Sequence, residues 1–466
     1  MTAPVKQPAE PANVLYRMVW RWHFYAGLFV IPFVIFLSIT GSIYLFRPQI
    51  ETWLDRPYDN MALPQTAVPS EVARVVLAEN PGWRLSKYQL PAGPNSAAQI
   101  LISRGGVEKR LYFDRANLQT VKTIEEQKRP MMLIFRLHGE LLAGDRGSNI
   151  VELAASWAIV MLVTGIYLWW PRGATGMAGV LYPRLGRGGR TTLRDLHAVT
   201  GMWVSIIALG FLLSGLPWAS NWGHYLQTIR VATGTAPASE SWFAGPSDEL
   251  KARKAEDAAA VNAHHAGHHG AGMDSPSTGA GDSNTFPVPE GLDIAFDTAL
   301  QQGFTPPVML MAPLPGGRNW KAVSQSLNVP RTAMATIDGR TGQVLSRTGF
   351  QDRYWFDRLI GYTTAIHQGQ LFGWLNQLLN LLLALCLITV SITAVLMWWK
   401  RRSPGTLGAP PAMGSRGWSW GLLAVILGLG ALLPEFLASL VVVLVCERFV
   451  LRGLPPVRRW LALSAN

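Results

Sequence analysis

The sequence predicts a mainly α membrane protein, with a four-helix transmembrane core, a C-terminal two-helix hairpin and small α+β domains outside the membrane. Three observations favour this fold class. Apolar residues make up 49% of the 466 residues and charged residues only 15%, below the ~25% usual in soluble proteins. Many of the 19 Trp residues lie at the ends of long apolar stretches, as in the aromatic belts of membrane proteins. Histidine spacings also recur between the two halves of the chain.

Six apolar stretches are candidate membrane helices. Four of them approach or exceed the ~20 residues that cross ~30 Å of hydrocarbon: 23–46, 150–170, 197–218 and 374–399. The other two form a hairpin at 418–450, with Pro434-Glu435 as its turn; a re-entrant or buried hairpin is the alternative there. The first stretch is too long for a signal-peptide core, and we expect it to be retained.

Basic residues predict the orientation of the chain. The net charge of +12 comes from short segments beside the apolar stretches, which favours the positive-inside rule over nucleic-acid binding. These segments lie on one side of a six-helix arrangement, so both chain ends are predicted to be cytoplasmic: 1–22, 171–196, 400–417 and 451–466. The two cysteines, Cys386 and Cys446, lie in apolar stretches and offer neither a disulfide framework nor a Cys-based metal site.

Two larger segments, 47–149 and 219–373, are then outside the membrane. Alternating apolar patterns predict that each contains one helix packed on a small antiparallel sheet. The first has a helix near 72–80 and strands near 85–90, 99–103 and 109–113; the second has a helix near 292–302 and strands near 308–312, 320–324 and 332–337. Residues 258–285, rich in Ala, Gly, Ser and His, are predicted to be a disordered insertion.

The spacing of four histidines indicates an internal duplication of a helix–domain–helix unit. His23 and His197 each precede a Thr/Ser-Gly pair by 17 residues, at Thr40-Gly41 and Ser214-Gly215, and each has a Gly four residues later, Gly27 and Gly201. His138 and His367 each precede a Thr by 26 residues, at Thr164 and Thr393. The offsets between the halves are 197 − 23 = 174 and 367 − 138 = 229. Their difference, 55, measures the extra residues in the second outside segment.

These four histidines are candidate haem ligands. His23 and His197 are predicted to open their helices at the cytoplasmic face, where Gly27 and Gly201 one turn later leave room for a flat group such as a porphyrin. His138 and His367 are predicted on short helices at the outer face. Neutral imidazole is a common axial ligand of haem iron, and no Cys-x-x-Cys-His occurs, so two b-type haems are expected.

The same histidines have other interpretations. A lone interfacial His usually caps a helix or bonds lipid headgroups, but four in register at the membrane favour a shared role. Zinc or copper would need more ligands than two imidazoles. Because each pair shares a membrane level, we predict that His23 pairs with His197 and His138 with His367.

Further residues are weaker candidates. Arg21, Arg136 and Arg194 lie two or three residues before a histidine and are candidate partners of haem propionates, although positive-inside bias alone explains Arg21 and Arg194. His224 is a candidate ligand without a counterpart in the first half; packing is the alternative. His264, His265, His268 and His269 form a candidate weak transition-metal site, or else tolerated low-complexity sequence.

The chain resembles the PepSY-associated transmembrane family of bacterial inner membranes. The motifs that carry the resemblance span about residues 14–402: Arg21-Trp22-His23 with Gly27, Thr40-Gly41, Arg136-Leu137-His138, Thr164-Gly165, Trp169-Trp170-Pro171-Arg172, Leu196-His197 with Gly201, and His367 with Trp398-Trp399. The resemblance implies PepSY-like periplasmic domains, with Ile337-Asp338-Gly339 and Thr341-Gly342-Gln343-Val344 the best match. It also implies a role in iron uptake, where some members are haem-containing reductases of ferric siderophores.

The histidines together with the resemblance therefore favour transmembrane electron transfer to a ferric siderophore or another periplasmic electron acceptor. No Gly-x-Gly-x-x-Gly pattern is visible, so a cytoplasmic flavin or NAD(P)H reductase, or a quinol, is expected to supply electrons. Two other functions stay open at this point. One is a non-enzymatic PepSY regulator or binding module, and the other is a periplasmic metal-handling protein that uses the His-rich segment.

Overall fold

A computed structural model of the chain describes residues 11–62, 66–172, 176–235, 246–269, 286–410 and 420–463. Its helices are α1 (Pro11–Leu45), α2 (Arg47–Asp59), α3 (Pro69–Glu79), α4 (Pro130–Glu140), α5 (Asp145–Trp169), α6 (Gly189–Gly215), α7 (Ser220–Ala232), α8 (Pro246–His269), α9 (Leu292–Gln301), α10 (Trp355–His367), α11 (Trp374–Arg401), α12 (Trp420–Leu432), α13 (Pro434–Phe449) and α14 (Pro455–Trp460). Its strands are β1 (Arg84–Gln89), β2 (Ala98–Arg104), β3 (Val107–Asp114), β4 (Gln119–Glu125), β5 (Val308–Met311), β6 (Asn319–Ser324), β7 (Ala333–Asp338) and β8 (Val344–Gly349).

The chain divides into two compact units. The first, here called the helical unit, contains Met1–Ser42, His138–Ile229 and Leu378–Asn466. The second, the sheet unit, contains Ile43–Leu137 and Arg230–Gln377. Each unit thus draws on distant parts of the sequence.

Four helices among the described residues are long and apolar enough to cross a membrane, so the chain is a multi-pass membrane protein. They are Val14–Leu45, Asp145–Trp169, Gly189–Trp218 and Trp374–Arg401, and they confirm the four predicted crossings. Three start earlier than predicted, at Val14, Asp145 and Gly189. His23 and His197 do not open their helices, because residues 12–22 and 190–196 contain neither Pro nor Gly and the helix continues through them.

The C-terminal hairpin consists of α12 and α13, joined at Leu433. At 13 and 16 residues, they rise about 20 and 24 Å, which is short of the ~30 Å hydrocarbon core. Leu433 and Phe436 are buried against Ile159 of α5 and Leu216 at the end of α6. The hairpin therefore packs on the long helices through the residues at its turn.

The sheet unit is built around one antiparallel sheet of eight strands. Its order is β4-β3-β2-β1-β5-β6-β7-β8, and β1 pairs with β5 through Tyr88 opposite Leu310. Helices α3 and α9 pack on one face, where Tyr88, Phe296 and Trp320 belong to a single apolar core. The element order of helix, four strands and helix occurs twice along the chain, as α3–α4 and α9–α10.

Three predictions about the outside segments need correction. The two predicted sheets form one sheet, because β1 pairs with β5 and so joins the two sets of strands. β4 and β8 were not predicted, since their residues are exposed or partly buried and contain little apolar signal. The predicted disordered insertion is helical over its first part, because α8 continues to His269; residues 270–285 lie outside the described residues.

Candidate functional site

His23 lies in the interior of α1 and contacts α5. Its Nδ1 is 2.9 Å from the hydroxyl oxygen of Thr164. That hydroxyl donates its own hydrogen within α5, to the Val160 carbonyl at 2.8 Å. Thr164 therefore accepts the Nδ1–H of His23. In this tautomer the second ring nitrogen, Nε2, is deprotonated and has a lone pair that can bind a metal ion.

His197 on α6 has the same tautomer. Its Nδ1 is 2.9 Å from the carbonyl oxygen of Val390 on α11. A carbonyl oxygen only accepts hydrogen bonds, so Nδ1 carries the hydrogen and Nε2 has the lone pair. An electrostatic interaction couples the imidazoles of His23 and His197. We call the part of the helical unit that holds these two histidines the inner level.

His138 lies near the end of α4, at the other end of α1. Its Nδ1 is 3.0 Å from the hydroxyl oxygen of Thr40, and Thr40 donates to the Phe36 carbonyl at 3.0 Å. His138 therefore donates Nδ1–H, as His23 does. Seventeen residues of α1 separate His23 from Thr40, which corresponds to about 25 Å of helix rise. We call the position of His138 the outer level.

A Thr-Gly pair contacts each of these two histidines, His138 and His23. A methyl group on Gly41 would lie 3.1 Å from Cε1 of His138, and one on Gly165 would lie 3.4 Å from Cε1 of His23. The threonine anchors the imidazole and the glycine beside it leaves space for the ring. In the sequence, Thr40-Gly41 and Thr164 only marked spacings from the histidines. Their contacts with His138 and His23 were not predicted.

The glycines that were predicted to make room for a porphyrin differ from each other. The space beside Gly27 is occupied by the methyl end of Met161, 3.3 Å from where a Cβ would be. Gly201 has no described atom within 4 Å of that position. Gly201 therefore has open space beside the backbone, whereas the space at Gly27 depends on a flexible methionine.

The predicted propionate arginines are largely engaged elsewhere. Arg21 donates to the carbonyls of Pro410 and Ala462, at 2.5 and 3.0 Å, and so holds the C-terminal segment. These bonds use part of its five N–H donors, and its predicted propionate role stays a prediction. Arg194 is 61% exposed and lies 3.2 Å from the carboxylate of buried Asp195. The role predicted for Arg136 stays a prediction.

The remaining histidines are placed as follows. His367 is the last residue of α10 and is partly buried; its pairing with His138 stays a prediction. His224 lies on α7, where its Nδ1 contacts the Ser220 carbonyl of the same helix. The backbone of His264, His265, His268 and His269 belongs to α8, but their side chains lie outside the described residues. Within the described part, no group of three His, Cys, Asp or Glu side chains forms a metal site.

The hydrogen bonds of His23 and His197 are of the kind that metal-ligating histidines make. A histidine that ligates a metal commonly donates its other ring N–H to a neighbouring oxygen, which fixes the tautomer and the ring orientation. His23 and His197 both do so. Two such imidazoles are an incomplete set for zinc but a sufficient one for haem iron.

The model of the PepSY-associated TM region matches residues 20–401. The match includes most of Val14–Leu45, the other three long helices and both levels. No curated protein matches the chain.

Proposed function

Because the chain belongs to the family of proteins with a PepSY-associated TM region, we propose that it is a haem-containing electron-transfer protein of the bacterial inner membrane. Its proposed reaction is the reduction of a ferric siderophore in the periplasm. Membership of the family supports a membrane protein with PepSY domains. The histidine geometry supports the redox function.

The observation that carries this proposal is the tautomer of His23 and His197. Both donate Nδ1–H to an oxygen on another helix, at 2.9 Å in each case, and both imidazoles lie at the inner level. A histidine that merely capped a helix or bonded lipid would need neither an interhelical partner nor a second imidazole beside it. Metal ligation through Nε2 accounts for both features.

Two levels about 25 Å apart suit electron transfer across a bilayer. The inner level lies near Arg21 and the basic segment that contains Arg194, so it is assigned to the cytoplasmic side by the positive-inside rule. The outer level, with His138, is then periplasmic. A haem at each level would supply one-electron redox chemistry on each side of the hydrocarbon core.

A duplicated unit explains why the levels resemble each other. The order helix, four strands and helix occurs twice, and the Thr-Gly pair recurs at Thr40 and Thr164. At the corresponding Thr393 the next residue is Ala394 instead of glycine. There the imidazole of His197 bonds the Val390 carbonyl, which also accepts from the Thr393 hydroxyl at 3.0 Å. We therefore propose cross-repeat pairing, with His138 and His367 as the outer pair.

Reduction gives the proposed reaction its chemical purpose. Siderophores hold Fe(III) with hard oxygen ligands, and Fe(II) is bound more weakly by such ligands, so transfer of one electron releases the iron. The electron would come from a cytoplasmic flavin or NAD(P)H reductase, or from a quinol.

The test is reoxidation of the reduced protein. The purified protein is reduced with dithionite, freed of excess reductant and mixed with a ferric hydroxamate and an Fe(II) chelator. We expect the absorption bands of reduced haem to disappear as coloured Fe(II) chelate forms in proportion. His138→Ala should slow this step while His23→Ala preserves it. Reduced bands that persist with the ferric complex, but are oxidised by ferricyanide, would exclude ferric siderophore as the acceptor.

A further inference from the structure

Two of the three buried residues by which helix α8 packs on the sheet are charged. Of its residues whose burial is described, three are buried: Arg253, Asp257 and Ala260. Their spacing of four and three residues forms one stripe along the helix. The stripe meets the face of the sheet opposite the apolar core, because Ser103, which it contacts, alternates with core residue Ile102 along β2.

Asp257 is bound by three donors that all belong to the sheet. Its carboxylate accepts hydrogen bonds from Arg84 Nε, Ser103 Oγ and the Gly106 backbone N–H, each at 2.7 Å. These donors come from β1, from β2 and from the turn that joins β2 to β3. Asp257 is 4% exposed, so this is an enclosed carboxylate site, which we call the carboxylate cradle.

The carboxylate cradle has more donors than Asp257 uses. Arg84 is 7% exposed, and its Nη2 is buried without a hydrogen-bond partner. The carboxylate of Glu256 is 3.7 Å away from it, beyond hydrogen-bond distance. A buried guanidinium donor without a partner is costly. An anion with more oxygen atoms than a single aspartate would satisfy it better.

The carboxylate of Glu108, a neighbouring charge on the sheet, stays paired without α8. Glu108 is 1% exposed and accepts from Arg253 of α8 at 3.0 Å, but also from Lys87 at 2.9 Å and from Ser86 at 2.8 Å. Although burial acts to raise it, Lys87 and Arg253 hold the pKa of Glu108 below its usual value. Removal of α8 would leave Glu108 paired with Lys87, whereas Arg84 would keep no counter-ion among the described residues. The exposed face would then attract one negative group at Arg84.

We propose that the carboxylate cradle is a binding site for a small soluble molecule that bears a carboxylate, and that Asp257 occupies it in cis until such a ligand displaces α8. A helix held by ion pairs is suited to this exchange. Burial of an ion pair adds little net stability, because desolvation offsets much of the attraction, and a competing carboxylate restores the same contacts. The proposal is independent of the redox function.

The first test is chemical rescue in the full-length protein. Asp257→Ala removes the carboxylate and keeps all three donors, so its melting temperature should fall. Sodium formate should raise it again and reach saturation, while sodium chloride at equal ionic strength should not. Glu249→Ala, which removes an exposed carboxylate of the same helix, should show no response to formate. Nor should Arg84→Ala/Asp257→Ala. An equal response of Asp257→Ala to formate and chloride would overturn the proposal.

A second measurement applies if Asp257→Ala does not fold. Asp257→Asn keeps the shape of the side chain and removes its charge. Amide hydrogen exchange in residues 249–263 should increase about tenfold, the equivalent of one charge-assisted hydrogen bond, while exchange in β2 stays the same. In the wild-type protein, citrate should increase exchange in α8 and protect the amide of Gly106. Exchange in α8 that citrate does not change would show that the site accepts no external carboxylate.

Discussion

Thr164→Val should weaken haem binding at the inner level. Valine has nearly the shape of threonine but cannot accept the Nδ1–H of His23, which would be left buried without a partner. Loss of such an acceptor costs about 1–3 kcal/mol, and loss of the oxygen that orients a metal-ligating histidine lowers affinity about 10–100-fold. The α5 backbone should be unaffected, because the hydroxyl of Thr164 donates only to carbonyls of its own helix.

The assay is a titration of haem into the haem-free protein, followed by absorption. Thr164→Ser keeps the hydroxyl and should bind as the wild type does. Thr389→Val is the matched control, because the Thr389 hydroxyl donates only to the Leu385 carbonyl of its own helix, at 2.8 Å. If Thr164→Val binds both haems with wild-type affinity and an unchanged spectrum, the hydrogen bond to His23 does not position a ligand.

Three further results are expected. Gly41→Ala places a methyl group 3.1 Å from Cε1 of His138 and should weaken binding of the outer haem about tenfold or more. Gly428→Ala, at a glycine with open space around it, should not weaken binding. Equal haem titrations of the two variants would contradict this prediction. Burial acts to raise the pKa of Glu126, but two arginines lower it to about 2. Its contribution to the free energy of unfolding, up to about 3 kcal/mol, is therefore present above the unfolded pKa near 4.5 and is lost as the pH falls towards 2. Acid unfolding of Glu126→Gln should lack this pH dependence. Arg21→Ala should increase trypsin cleavage of the C-terminal tail while the haem content stays unchanged; loss of haem would support its propionate role.

The sequence predicts the local elements well. The apolar stretches give the four long helices, and alternating residues give six of the eight strands within a few positions. These signals are local, since the face of a helix or strand is visible in a short window. The early start of α1 was missed because Arg17 and Arg21 interrupt the apolar residues before His23, although arginine continues a helix about as readily as leucine.

Non-local contacts could not be predicted in the same way. The pairing of β1 with β5 joins residues more than 200 positions apart, and no pattern within either strand specifies its partner. The interhelical contact of Thr164 with His23 joins residues 141 positions apart. Residues 258–269 of α8 were predicted to be disordered, and the one buried residue described among them is Ala260. The other two buried residues of the helix, Arg253 and Asp257, precede that segment, and charged residues at buried positions carry no apolar periodicity.

The most direct measurement is the haem content of the purified protein and its histidine variants, determined by pyridine haemochromogen after expression with ample haem. We expect two b-type haems per chain in the wild type. His23→Ala and His138→Ala should each lose about one haem, because they belong to different levels, and the double variant should lose both. A wild-type protein without haem, or single variants that both retain two haems, would contradict the assignment of these histidines as ligands.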